Sequence, residues 1–107
     1  MTIMSWNCRG LGQPRTVQEL VCLVHTYKPK LVFLSETRQG NKYVNNLNWR
    51  LGLHHCIAQS GIGKGVAIAL FYDESVEIKK IVVGARYINV LIRLNPFGLR
   101  WRASFVY

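Results

Sequence analysis

Between Pro29 and the polar triplet Ser35-Glu36-Thr37 the chain runs Leu31-Val32-Phe33-Leu34 without a polar residue. Four apolar residues are too few for a helix, and such a run, bounded by a proline and a polar cluster, is the pattern of a strand covered on both faces. That strand constrains what precedes it. Thr2 to Asn7 is short, apolar and β-permissive, and it runs into a loop marked by Gly10, Gly12 and Pro14. Pro14 suits the first turn of a helix, and Val17, Leu20, Val21, Val24 and Tyr27 recur at helical spacing, so one apolar stripe faces a sheet. The helix ends before Pro29, because a residue preceding proline is pushed out of the α region. Strand, helix and strand in this order make a right-handed parallel crossover, which brings the carboxyl ends of both strands to one sheet edge. Asn7 and Glu36 end those strands and are expected side by side.

A second helix is expected over Asn41 to Leu51, where Val44, Leu47 and Leu51 keep a stripe despite the poor helix formers Asn45, Asn46 and Asn48. Beyond it the pattern changes. His55 to Gln59, Val66 to Tyr72, Ser75 to Val82, Tyr87 to Leu94 and Leu99 to Tyr107 alternate or run apolar. Glycines at 61, 63 and 65, then Asp73-Glu74, Gly84 and Asn95-Pro96-Phe97-Gly98 separate them, the signature of an antiparallel meander. Gly61 to Gly65 does not have Walker A spacing, has no Ser or Thr after Lys64 and precedes a strand, so it reads as a hairpin turn.

Fourteen Lys and Arg against five Asp and Glu give a formal net charge of +9, which favours a polyanionic partner, nucleic acid first. The basic residues are dispersed, so a solvated basic surface is the alternative. Cys8, Cys22 and Cys56 form no C-x-x-C pair and suggest neither a disulfide framework nor a zinc site; reduced, mostly buried thiols are expected. No apolar stretch approaches the roughly 20 residues of a membrane span, and no signal peptide opens the chain, so an intracellular protein is expected, with a nuclear location left open. His25, His54 and His55 have no neighbours that would make a triad or a metal pair and read as structural, as do Trp6, Trp49 and Trp101, taken as core or sheet-face aromatics.

The chemistry-bearing residues gather at the strand ends. Ser5-Trp6-Asn7-Cys8-Arg9-Gly10 followed by Leu34-Ser35-Glu36-Thr37 resembles the first two signature motifs of the endonuclease/exonuclease/phosphatase superfamily. Adding Met4, Leu11-Gly12, Leu31-Val32-Phe33 and Val66-Ala67-Ile68-Ala69-Leu70, the chain looks like the endonuclease region of plant LINE-type non-LTR retrotransposons, in order and over nearly its whole length. The resemblance implies Mg²⁺, or Mn²⁺ in its place, as cofactor. It makes Glu36 the metal-ligating carboxylate and Asn7 a catalytic residue that also helps organise the metal site. Oxygen donors of this kind suit a hard cation. Arg9 stands where other members carry an acidic or amide residue, so it is read as a nucleic-acid contact rather than a ligand. Tyr107 falls where related nucleases place a catalytic tyrosine near the scissile phosphate.

The same resemblance implies an α+β fold: half of a four-layer α/β sandwich, with one mixed, largely antiparallel sheet, helices on one face, and an inner face left bare. Residues 1–107 are then the amino-terminal part of a domain about twice as long, truncated before its D-x-N motif and its terminal Asp-His pair. Asp73 is the one aspartate and carries no D-x-N pattern. The expected function is a fragment of a Mg²⁺-dependent DNA endonuclease, inactive alone, whose partners are nucleic acid, DNA before RNA, and the missing carboxyl-terminal half. The alternatives are a non-specific basic DNA-binding module and an inert, pseudogene-like fragment.

Overall fold

The computed structural model describes residues 3–7, 11–60, 66–84, 87–94 and 99–106. Its elements run β1 (Ile3–Asn7), α1 (Pro14–Tyr27), β2 (Leu31–Gln39), α2 (Asn41–Leu51), β3 (His55–Ser60), β4 (Val66–Tyr72), β5 (Val76–Gly84), β6 (Tyr87–Leu94) and β7 (Leu99–Val106). Pro14 sits in the first turn of α1, and Lys28 closes the helix in a left-handed conformation, its N–H donating to the Val24 carbonyl. Left-handed closure is a common helix stop, and Pro29 forbids continuation. Of the anticipated stripe, Val17, Leu20 and Val24 are buried and Val21 is partly so, whereas Tyr27 at the end of the helix is exposed.

The first sheet has the order β1-β2-β4-β3. β1 and β2 are parallel, and β4 pairs antiparallel with both β2 and β3. Strand alternation then decides which residue meets which layer. Val32, Leu34, Ala69 and Phe71 face the helices, packing with Leu20, Val24, Val44 and Leu47. Leu31, Phe33, Ile68 and Leu70 face the other way.

The sandwich fragment, with helices on one face of a mixed sheet, is the expected α+β architecture. Its strands divide differently, however. β5, β6 and β7 form a second, antiparallel sheet instead of extending the first, and its Val76, Ile88, Val90 and Ile92 cover Leu31, Phe33, Ile68 and Leu70. The inner face expected to be bare is a core, in which the Phe33 and Phe105 rings stack with centroids 5.2 Å apart. The turn taken for a hairpin is the cause. Asp73 Oδ1 accepts a hydrogen bond from the Ser75 N–H, and the Asp73 carbonyl accepts one from the Val76 N–H, so the chain leaves β4 and enters the opposite sheet. Asx turns of this kind redirect a backbone that alternation alone cannot. Exposed apolar surface lies instead on the outer face of the second sheet, where Val82, Tyr87 and Val106 reach solvent beside Arg100 and Arg102.

Two other expectations change, and a third is not described. Trp49 is 78% exposed on α2, not in the core, and its ring lies 5.9 Å from that of His54. Cys22 is exposed, since its place on α1 falls off the buried stripe, and Cys56 is half-buried. The Gly61 to Gly65 turn lies outside the described residues, although the antiparallel pairing of β3 with β4 on either side of it is present. No helix among the described residues is long and apolar enough to cross a membrane.

Candidate active site at the carboxyl edge of the parallel strands

The parallel register sets Asn7 opposite Ser35, one residue before Glu36. Asn7 is exposed and Glu36 half-buried. Both, with Thr37, are engaged in polar interactions. The crossover through α1 thus brings the two strand-end residues to one rim, as the strand order requires.

The strand does not stop where its apolar run stops. β2 continues to Gln39, but between Ser35 and Gln39 it loses register with β4: Ser35 faces Ile68 and Gln39 faces Val66. Four steps along β2 span two along β4, so two extra residues are taken into the strand. Glu36 and Arg38 both adopt φ of 54°, the left-handed region, and Thr37 between them is 1% exposed. For a residue with a Cβ each such conformation costs of order 1–2 kcal/mol, and it breaks the alternation that would otherwise assign Glu36 to the helix-facing side. Bulges of this kind re-aim side chains, and strained backbone of this kind clusters at functional sites.

The rim has a second wall. Leu11, fully buried, anchors the loop after β1, and its carbonyl accepts a hydrogen bond of 2.8 Å from the Tyr43 hydroxyl of α2. Gly12 follows, so close to β2 that an added Cβ would sit 2.9 Å from Gln39 Nε2. The loop therefore passes directly over the end of the bulge, and only a residue without a side chain fits unless Gln39 moves. In the sequence Gly12 is a loop residue within the motif that follows β1; its contact with Gln39 has no signature in either segment alone.

Arg9 and Tyr107 lie outside the described residues. Among the described residues, the aspartate and the histidines that could serve as a base are elsewhere. Tyr72, across from Leu31 and His55, ends β4 at the far edge of the sheet, so Asp73 and His55 stand opposite the Asn7–Glu36 rim. Asp73 pairs there with Lys30 at 3.6 Å, and His54 with Glu74 at 3.7 Å. His25 and Asp73 line one cleft of about 330 Å³ with Lys28 and Lys30.

Among the described residues no three His, Cys, Asp or Glu side chains gather in one place. At the rim Glu36 offers a carboxylate and Asn7 an amide, which fits a hard divalent cation that keeps most of its water. It does not fit zinc, which wants nitrogen or sulfur donors.

Solved structures share this fold. The chain aligns over 95% of its length with humanized TDP2 of D. rerio, at a TM-score of 0.63 and 19% identity, covering 45% of that chain. It aligns over 98% with an AP endonuclease from Archaeoglobus fulgidus, at a TM-score of 0.66 and 17% identity, covering 41%. It aligns over 95% with ANGEL2, a 2′,3′-cyclic phosphatase, at a TM-score of 0.71 and 13% identity, covering 39%. The chain carries part of the endonuclease/exonuclease/phosphatase fold. It spans less than half the length of these three structures. Neither a scan with protein-family models nor a comparison with curated proteins finds a match.

Proposed function

We propose that the chain is the amino-terminal part of a divalent-metal-dependent nucleic-acid phosphodiesterase, of the LINE-type retroelement endonuclease kind, and that it binds DNA without cutting it. The observation that carries this reading is the meeting of Asn7 and Glu36 at one rim, with Glu36 set in a left-handed bulge. Glu36 supplies the carboxylate that would hold Mg²⁺ or Mn²⁺, and Asn7 an amide that orients the neighbouring donors. When bound, such an ion neutralises charge on a phosphate under attack. The chain's own residues hold and position; among the described residues Asp73 and His55, the candidates to take a proton, occupy the opposite edge. Losing general-base assistance typically lowers a rate by roughly 10²–10⁴-fold.

The LINE-type assignment rests on the ordered motifs around Asn7, Glu36 and Val66 to Leu70. The basic charge supports DNA as partner, and a binding-module reading draws on the second sheet. There Arg93 faces Arg100, and Leu91 faces Arg102, across adjacent strands.

Nicking of supercoiled plasmid, run beside duplex binding by fluorescence anisotropy, tests the proposal. The expected result is binding that weakens steeply with salt, through counterion release, and no nicking with Mg²⁺ present. Metal-dependent nicking that disappears in Glu36→Ala would overturn the claim of inactivity, and an absence of DNA binding would overturn the reading as a whole.

A further inference from the structure

We propose that Arg38 is the phosphate-binding residue of this rim, contacting a nucleic-acid phosphodiester next to the Glu36 carboxylate. The inference rests on the reading of the rim given above and adds to it a residue that the strand-end motifs did not single out.

Arg38 adopts φ of 54° although it is not glycine. The bulge needs a left-handed residue there, to bury Thr37 and to return β2 to register at Gln39, but glycine would meet that need without steric cost. Packing does not explain the arginine, because the residue is exposed. Nor does charge pairing: among the described residues no carboxylate lies within ion-pair distance of Arg38, whereas Arg15, Lys30, Lys79 and Arg93 all have one. A guanidinium therefore stands, at a conformational cost of about 1–2 kcal/mol, where the fold asks only for a backbone.

Place supplies the function. Arg38 is two residues from Glu36 and shares its bulge, three residues past the point where β2 faces Asn7. A carboxylate at such a rim repels a phosphodiester, and a fixed positive charge beside it offsets that repulsion. The guanidinium fork matches two phosphate oxygens at once, which an ammonium cannot do. The arginine is presented from within β2, directly after the buried Thr37, rather than from a loop between elements.

The test uses the full chain and a fluorescent DNA duplex in metal-free buffer, with anisotropy followed from low to physiological salt and melting temperature recorded for each variant. Arg38→Gly should lower the log–log salt slope by about 0.9, the contribution of one phosphate contact. It should melt at or above the wild type. Arg38→Lys should keep the slope but bind more weakly than wild type. Arg50→Ala, which removes an exposed arginine from the helical layer, should change the slope by less than Arg38→Gly does. Arg38→Asn, which also tolerates left-handed backbone, repeats the test if the glycine variant proves unstable. A wild type that binds, with equal slope losses in Arg38→Gly and Arg50→Ala, overturns the role of Arg38 and leaves the rim assignment standing. A wild type that does not bind overturns both.

Discussion

Among the described residues the strand pairings slip register in three places, and the slips in β2 and β5 differ in kind. In β5, Ile78 faces Ile92 and Lys80 faces Leu91, so Lys79 is a single extra residue. It is not left-handed, and its ammonium lies 2.8 Å from Glu77. In β2 two extra residues enter, two left-handed non-glycines flank a buried threonine, and the exposed arginine has no ion pair among the described residues. A relaxed bulge with a locally paired charge adjusts twist and neutralises itself. The strained bulge sets an exposed guanidinium, without an ion pair among the described residues, two residues from the Glu36 carboxylate. The first sheet holds the candidate rim, then, and the second carries the packing that covers its inner face.

If the second sheet serves mainly to cover the first, breaking their contact should have the largest effect. Phe33→Ala removes a buried ring from the stack with Phe105 and should lower stability by about 3–5 kcal/mol, read from the denaturant midpoint. Two separate unfolding transitions in that variant would mean that the sheets are less dependent on each other than the shared core implies.

A pH effect localises to the first sheet. Burial pushes the Cys56 thiol up from 9.0 to about 12. Because the folded state holds this proton more tightly than the unfolded state, stability is full below about pH 9 and falls as pH rises toward about 12, by at most roughly 4 kcal/mol. Cys56→Ala should flatten that alkaline limb in melts taken across the range. The exposed Cys22 should meanwhile react with a thiol reagent far faster than Cys56 in the folded chain. Comparable rates would place Cys56 in solvent and remove the cause of the shift.

The bulges themselves separate at smaller scale. Arg38→Gly relieves left-handed strain and should raise stability by up to about 1 kcal/mol, while Lys79→Gly relieves none and should lower it by about 1 kcal/mol. Equal and same-signed changes would erase the distinction between the two sites.

How much of this the sequence carries depends on distance along the chain. The parallel crossover is local: Pro14, the Val17-Leu20-Val24 stripe and Pro29 fix α1, and the unbroken Leu31 to Leu34 run fixes β2, so Asn7 and Glu36 could be placed on one edge beforehand. The bounds of α2, β4 and β6 are legible for the same reason. The division into two sheets is not. It turns on one hydrogen-bonded Asp73-Ser75 corner, which in sequence resembles a hairpin turn, and on Ile88, Val90 and Ile92, whose alternation says that one face is buried but not against what. The bulge is harder still. Glu36 and Arg38 are left-handed without being glycine, so the usual marker is missing, and Ser35-Glu36-Thr37 reads as the end of a strand that runs on to Gln39.

The claim that the Asn7–Glu36 rim is a divalent-metal site is tested most directly by titrating Mn²⁺ into isotopically labelled chain and following paramagnetic broadening of its amide signals. The account predicts that Asn7 and Glu36 to Arg38 broaden first, and that Glu36→Gln removes the effect while leaving the rest of the spectrum in place. Broadening centred on His25, His55 and Asp73 at the opposite edge, or unchanged in Glu36→Gln, would contradict it.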